Sequence, residues 1–472
     1  MMRPNVLIIM TDHTNAQALT PGSPCLTPCL DALAAGGVRF DRCYTPNAIC
    51  SPARMSLMTG AYPSTHGMWD CTHTQRREWQ NIPADRWTHF ARRFDEAGYR
   101  TAYFGKWHVD HTHRLEDYGW QTYDHACGSL RVKPMPGSEI FAARPGYREY
   151  LLAGVSADDA TATHPAFDKG IAFLRDHAAG PDAARPFCCF VSTSEPHDPY
   201  VPPRRFLELY DLQRIPQPPP QRAEPMGKPE IVRRQRAVWA GLSDTDWRRI
   251  RASYWAMISF LDHEVGRLLA TLQELKLDDR TVVVFLSDHG DMIGSHGLVA
   301  KGGGTPYEEV YNIPLIIRAP HVQKPHEEKQ ALVSTVDLAP TLLDLCGLPP
   351  LPEGQVQGRS FRSVLEGRAD PADWQDAFAE FFGQRFVYTQ RITWHGPWKY
   401  VFSPGGLDEL YNLENDPLER RNLAEDPSHQ PVLLDLCARM WRKIQAVGDQ
   451  SLLNSQYATL RLAPLGPESA KT

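Results

Sequence analysis

Short apolar runs alternate with stretches of helical periodicity along most of this chain. Val6–Met10, Thr101–Phe104, Phe187–Val191, Val282–Leu286 and Pro314–Ile317 carry almost no polar residues. Runs of that length without polar alternation predict strands covered on both faces, as in a parallel sheet. A further strand is predicted at Val38–Tyr44. Between them lie helical patterns. Leu30 leads to a glycine pair at Gly36, and Phe90, Phe94 and Ala97 share one face before Gly98. The longest predicted helix runs from Trp247 to Leu275, with Ile250, Tyr254, Met257, Leu261, Val265, Leu268 and Leu272 on one stripe. Asp337 is expected to cap a helix carrying Leu338, Leu342 and Leu345. Strands alternating with helices define an α/β class with a mostly parallel central sheet flanked by helices.

The pattern changes near residue 372. Residues 211–230 hold six prolines, which predicts a loop, and 348–375 are again rich in proline, glycine and charge. Beyond them, Arg385–Gln390 and Trp398–Phe402 predict short antiparallel strands, and 431–447 a long helix. The expected organisation is therefore a catalytic α/β domain over 1–372 and a smaller α+β domain over 373–472. The last residues, 455–472, are expected to fray.

Composition narrows the functional classes. The 472 residues are 42% hydrophobic and 22% charged, with a formal net charge of −6. A basic surplus suited to nucleic acid is lacking, and Arg233, Arg234 and Arg236 read as a solvated face. No run approaches the roughly 20 apolar residues of a membrane span. The apolar start is five residues long with no small-residue cleavage site, so a cytoplasmic location is expected. Ten cysteines in a chain of this length do not form a disulfide framework. Nine of them read as packing residues.

The chemistry lies where the apolar runs end. Val6–Met10 leads into Asp12-His13, and Thr101–Phe104 into Lys106-Trp107-His108. Phe187–Val191 leads into His197-Asp198, and Val282–Leu286 into Asp288-His289-Gly290-Asp291. In open α/β sheets ligands bind beyond the carboxyl ends of the strands, so these groups are expected to converge. Carboxylates with a histidine suit a divalent cation, and nearby lysines suit an anionic substrate. Cys50 precedes Pro52 in a segment expected to start a helix with Pro52 in its first position. An anion is favoured at such a start, and Arg54, four residues on, faces the same side. His66 reads as a turn histidine. His111 and His113 read as exposed loop residues, and Asp291 as a turn cap or a brace for the metal ligands.

The segment Cys50-Ser51-Pro52-Ala53-Arg54, followed by Thr59-Gly60, resembles the signature of the sulfatases. The resemblance extends in order through Asp12, Gly105-Lys106-Trp107-His108, Pro196-His197, Asp288-His289-Gly290, Lys301, Tyr307-Glu308-Glu309 and Glu409–Pro417. It implies an alkaline-phosphatase-like fold and hydrolysis of an organic sulfate ester, on a small molecule or saccharide. In that family the cysteine is oxidised to formylglycine by a formylglycine-generating enzyme, so Cys50 becomes nucleophile and metal ligand. Asp12, Asp288 and His289 are implied to hold one divalent cation, calcium by preference or manganese. Arg54 and Lys106 stabilise the aldehyde diol and the anion. His108 accepts a proton, and His197 and Lys301 contact the ester. Many sulfatases have two adjacent aspartates where this chain has Asp12-His13. An aspartate-plus-histidine set also occurs in relatives that cleave phosphonate monoesters and phosphodiesters, which is the alternative activity; a catalytically inactive binding protein is a third reading. Oligomerisation is open, with a homo-oligomer possible.

Overall fold

The computed structural model describes residues 3–73, 85–111, 114–130, 139–143, 151–156, 163–218, 227–301, 303–320, 322, 331–384, 386–454 and 463–471. The apolar runs form strands β1 (Asn5–Thr11), β2 (Val38–Tyr44), β3 (Arg100–Gly105), β7 (Phe187–Ser192), β8 (Thr281–Ser287) and β9 (Asn312–Arg318). Two short strands, β4 (Thr122–Asp124) and β10 (Val333–Ser334), complete an eight-stranded sheet of order β10-β2-β9-β8-β1-β7-β3-β4. Strands β5 (Glu139–Ala143) and β6 (Leu151–Val155) pair antiparallel outside it. Only β9 runs against its neighbours β2 and β8. The four strands β8-β1-β7-β3 are adjacent and parallel, with Thr11 opposite Ser287 and Gly105 opposite Ser192. Their carboxyl ends are thus level, and the residues that follow enter one crevice.

The helices cover both faces. One apolar cluster joins Val6, Ile8 and Met10 to Phe90, Phe94 and Leu342, and the other joins Leu7 and Ile9 to Leu30 and the long helix. The principal helices are α1 (Pro28–Ala35), α2 (Cys50–Thr59), α3 (Phe90–Glu96), α4 (Pro165–Ala179), α5 (Asp244–Glu274), α6 (Leu338–Leu345) and α7 (Gln430–Val447). Helix α5 starts earlier than its apolar stripe because Ser243 and Asp246 form a reciprocal capping box. Asp337 stands at the N-cap of α6 as expected, but its side chain makes no cap hydrogen bond to that helix. Ser334 and Asp337 make a capping box for a preceding 3₁₀ turn, and Asp337 occupies its third position.

A second, four-stranded antiparallel sheet follows: β11 (Asp376–Phe381), β12 (Gln390–His395), β13 (Trp398–Phe402) and β14 (Glu409–Asn412). The strand expected at Arg385–Gln390 lies instead at Gln390–His395. Its register against β11 buries Ile392 and Trp394, whereas Phe386 and Val387 stay exposed. Helix α7 packs on this sheet through Leu436, Met440, Trp441 and Ile444. Residues 463–471 do not fray as expected. Trp441 Nε1 donates to the Leu465 carbonyl at 2.9 Å, and Leu465 and Ala470 join the same apolar cluster. Among the described residues no helix is long and apolar enough to cross a membrane.

Glu380 ties the two sheets together. Its amide donates to Pro46 O, its carbonyl accepts from Asn47 Nδ2, and Oε2 accepts from the Ser64 amide at 2.8 Å. Its Oε1 has no hydrogen-bond partner. Burial is the main cause that pushes this carboxyl up to about 7 from 4.5. The folded chain therefore holds that proton more tightly than the unfolded chain, and stability falls as pH rises from about 4.5 through about 7. Glu380→Gln is expected to keep the Ser64 bond and to stabilise the protein by ~1–3 kcal/mol near pH 8, with much less effect near pH 5. Thermal midpoints of both proteins at the two pH values check this; equal midpoints at pH 8 would show that the buried carboxyl carries no such cost.

Candidate active site

Helix α2 begins at Cys50, so Pro52 stands third rather than first. A proline costs nothing there either, because the first four helical N–H groups have no intrahelical partner. Every side chain of α2 is buried, and its first turn faces the carboxyl ends of β1 and β8. Cys50 Sγ lies 3.0 Å from Lys301 Nζ, 3.2 Å from His289 Nε2 and 3.7 Å from Asp12 Oδ1.

Arg54 is the internal strut. Its Nε donates to Asp288 Oδ2 at 2.8 Å, Nη2 reaches Asp12 Oδ2 at 3.2 Å, and Nη1 donates to Lys106 O and Ser192 Oγ. Arg54 lies on the Cys50 side of the helix, as expected, and there its guanidinium bridges the two aspartates. Lys106 Nζ also bonds Asp12 Oδ2. Burial and Cys50 push the Asp12 carboxyl up, but Lys106 and Arg54 outweigh them and hold it at about 2. Asp288 goes the other way, raised by burial and by the Asp12 charge beside it.

His13 and His108 both have positive φ, 71° and 56°. Such backbone is rare for these residues and persists where surrounding contacts demand it. The Tyr254 hydroxyl bonds His13 O and the Asn15 amide, which fixes the turn after β1. His13 Nδ1 sits 2.8 Å from Asp291 Oδ2, which also accepts from the Tyr200 hydroxyl. Its Nε2 is buried with no hydrogen-bond partner. Asp291 thus braces a ring aimed inward, and its Oδ1 also accepts from the Ile293 amide and caps the turn. Donor atoms of Asp12, His13, Cys50 and His289 lie within 4.8 Å of one another, all buried. Asp288 adjoins this group, its Oδ1 3.8 Å from His289 Nε2.

The remaining expected residues line the rim. His197 follows the cis peptide Glu195-Pro196, and its ring meets that of His13 at a tilt, with centroids 4.0 Å apart and an interplanar angle of 43°. His108 Nε2 is 3.1 Å from His73 Nδ1, and burial lowers His108 to about 4, which leaves a neutral imidazole. His66 is the turn histidine expected. Its Nε2 meets Ser56 Oγ, and its Nδ1 accepts from the Met68 amide. His111 Nε2 contacts Thr72 O, and His113 lies outside the described residues. The sequence missed Cys71. It was read as plain packing, yet its thiol joins Cys50 and His108 within 4.8 Å. Its hydrogen bond is the largest cause lowering the Cys50 thiol, with Lys106 and Lys301 acting in the same direction. No spacing signal marks Cys71 or His73, because both arrive from a loop folded over α2.

A buried nucleophile position, a cluster of N, O and S donors and three converging cations on an alkaline-phosphatase-like sheet are the parts of an esterase-type hydrolase. The chain belongs to the sulfatase family: the model described as "Sulfatase" matches residues 4–348, and that of "N-sulphoglucosamine sulphohydrolase, C-terminal" matches 294–446. It is 31% identical over 442 residues to "Uncharacterized sulfatase YidJ" of Escherichia coli, covering 90% of this chain and 84% of that protein. It is 32% identical over 460 residues to "Choline-sulfatase" of Rhizobium meliloti, covering 90% and 83%. Among solved structures it resembles BT4656 in complex with its substrate D-glucosamine-2-N,6-O-disulfate (TM-score 0.76, 22% identity, 95% and 98% coverage). It also resembles the phosphonate monoester hydrolase of Silicibacter pomeroyi (TM-score 0.74, 24% identity, 95% and 97% coverage).

Proposed function

We propose that this protein hydrolyses the sulfate ester of a saccharide or similar polyol, with residue 50 acting as formylglycine. The observation that carries this reading is the placement of Cys50 at a helix start, against Lys301, His289 and Asp12. Formylglycine there would supply a geminal diol able to take sulfur from the ester oxygen, which leaves as the alcohol, and then to release sulfate as the aldehyde re-forms.

The surrounding residues have distinct tasks. Lys106, Lys301 and Arg54 are fixed cations that offset the charge growing on the transferred group. His108, neutral and close to Cys50, accepts the proton of the second hydroxyl. We assign protonation of the departing alcohol oxygen to His197, which is partly exposed, and to Lys301, whose Nζ is 3.0 Å from Cys50 Sγ. Asp12, His13, Asp288 and His289 would hold a divalent cation together with residue 50. The fit is good because His13 Nε2 is buried, unpartnered and aimed at the other donors. Such a cation supplies Lewis acidity that makes the diol easier to deprotonate. Two imidazoles beside carboxylates suit Mn2+ better than the Ca2+ expected from sequence. Chelation is expected to abolish turnover, with Mn2+ restoring it more fully than Ca2+; full activity in excess chelator would defeat the metal assignment.

The cleft at the mouth, about 330 Å³, is lined by His73, Lys106, Trp107, His108, His111 and His125 among others. Its one acid among the described lining residues, Asp110, is bonded by Trp107 Nε1 and the Tyr118 hydroxyl. Imidazoles and a lysine suit hydroxyl and anionic substituents and disfavour a quaternary ammonium, which needs an aromatic cage. The mass of the peptide containing Cys50 and side-by-side kcat/KM on sulfate and phosphonate esters test the proposal. Aldehyde at residue 50 and preference for sulfate are expected. Free thiol in fully active protein, or preference for the phosphonate, would overturn it.

A further inference from the structure

Behind the catalytic loops, four glutamates are packed between the two sheets. Glu308, Glu309, Glu409 and Glu419 are each at most 9% exposed. Two ammonium groups face them. Lys399 Nζ lies 2.7 Å from Glu419 Oε1 and 3.1 Å from Glu308 Oε1. Lys228 Nζ lies 3.5 Å from Glu409 Oε2, over the rings of Tyr307 and Tyr411. Four carboxyls face two ammonium groups in the immediate cluster, and burial pushes Glu419 up to about 8 and raises Glu309 as well, so the excess acid is held as protons unless a cation takes their place. A buried charge without a partner is costly, and such groups are normally paired, protonated or metal-bound.

The unpaired member is Glu309. Neither of its carboxylate oxygens has a hydrogen-bond partner of ordinary geometry, although Ser295 lies near. His296 approaches from the other side. Its backbone is held at φ 55°, and its ring lies flat on Tyr307 at 3.9 Å with an interplanar angle of 9°. Burial, then Lys228 and Lys399, and beyond them Arg236 and Arg420, hold His296 well below its ordinary value, so the ring is neutral and free to donate a lone pair. One donor atom each from His296, Glu309 and Glu419 lies within 4.8 Å of the others. Ligands on one ion lie at most roughly 4.4 Å apart, twice a bond of ~2.2 Å, so a small inward shift suffices. Glu419 Oε2 accepts from the Glu308 amide, while Oε1 is ion-paired with Lys399 but has no hydrogen-bond partner, and each carboxylate oxygen keeps a lone pair for a cation.

We propose that His296, Glu309 and Glu419 form a second divalent-cation site, separate from the donors around Cys50 and suited to a first-row transition ion such as Zn2+. One nitrogen with two carboxylates is the donor type such ions select over Ca2+ or Mg2+. Partial exposure of His296 leaves an entry path. The ion's role is structural. The Gly290 amide donates to Val310 O at 2.8 Å, and a Cβ at Gly290 would meet Glu309 O at 2.0 Å. The segment that carries Glu309 thus supports the loop that follows His289.

The test counts metal, not turnover, and so stands apart from the activity proposed above. Full-length chains are stripped with chelator, reloaded with Zn2+, gel-filtered and analysed for metal per chain. Asp12→Asn, which disables the donors at Cys50, is expected to retain one equivalent and to gain thermal stability on reloading. Adding Glu309→Gln, or in a parallel variant His296→Ala, is expected to abolish both the retained ion and the gain. The proposal is overturned if Asp12→Asn retains no ion, or if neither added change lowers its content. A chelated Glu309→Gln chain more stable than the parent, without a second ion in the parent, would assign a protonated carboxyl instead.

Discussion

Replacing Cys50 by alanine is expected to lower kcat for sulfate-ester hydrolysis by on the order of 10⁴-fold or more, because the nucleophile and its regenerating hydroxyl are lost together. The fold should survive. Cys50 is a small buried group at the start of α2, and its removal leaves the Arg54 bridge to Asp12 and Asp288 in place. The expected pattern is therefore unchanged far-ultraviolet dichroism with near-complete loss of turnover. Steady-state rates on an aryl sulfate would measure it. A variant keeping more than about a tenth of wild-type kcat would remove residue 50 from the chemistry, since losing an essential nucleophile costs several powers of ten.

Arg54→Met is expected to cost about 3–5 kcal/mol of stability in chelated protein, the usual consequence of removing one partner from a buried charge network. The guanidinium is fully buried and serves Asp12, Asp288, Ser192 and the Lys106 carbonyl at once. Without it Asp288 faces Asp12 with no intervening cation, although Lys106 still reaches Asp12. Arg54→Lys should recover little, because one ammonium cannot span four acceptors in a fixed fork. Denaturant unfolding of the three proteins, with chelator present, decides the matter. Midpoints that coincide would mean that the aspartates are protonated or solvated in the metal-free chain.

Much of the architecture was legible because fully buried strands leave a one-dimensional signal. Five apolar runs lie within five strands of the central sheet, and Val38–Tyr44 coincides with β2. The ends of helices were less legible. Helix α5 reaches back to Asp244 through the Ser243–Asp246 capping box, three residues ahead of its first apolar position. In the second sheet the periodicity was ambiguous, and the register against β11 selected Gln390–His395 over the neighbouring segment. Alternating strands can slip without changing composition, so pairing decides which residues are buried.

The site divides in the same way. Position after a strand was enough to single out Asp12, Lys106, His108, His197, Asp288 and His289, because level strand ends in a parallel sheet must deliver their following residues to one crevice. The pentad alone singled out Cys50 and Arg54. Directions of side chains were not encoded locally. His13 turns inward because its positive φ, the Tyr254 hydroxyl and Asp291 hold it there. Cys71 meets Cys50, and Glu309 meets His296 and Glu419, only after segments far apart in sequence have packed. The sequence by itself determined the strand-and-helix alternation, the family and the chemical identity of the residues at Cys50. Which donors face one another, and where buried carboxyls outnumber their cations, only the tertiary structure decided, because those energies depend on through-space distance and burial rather than on order along the chain.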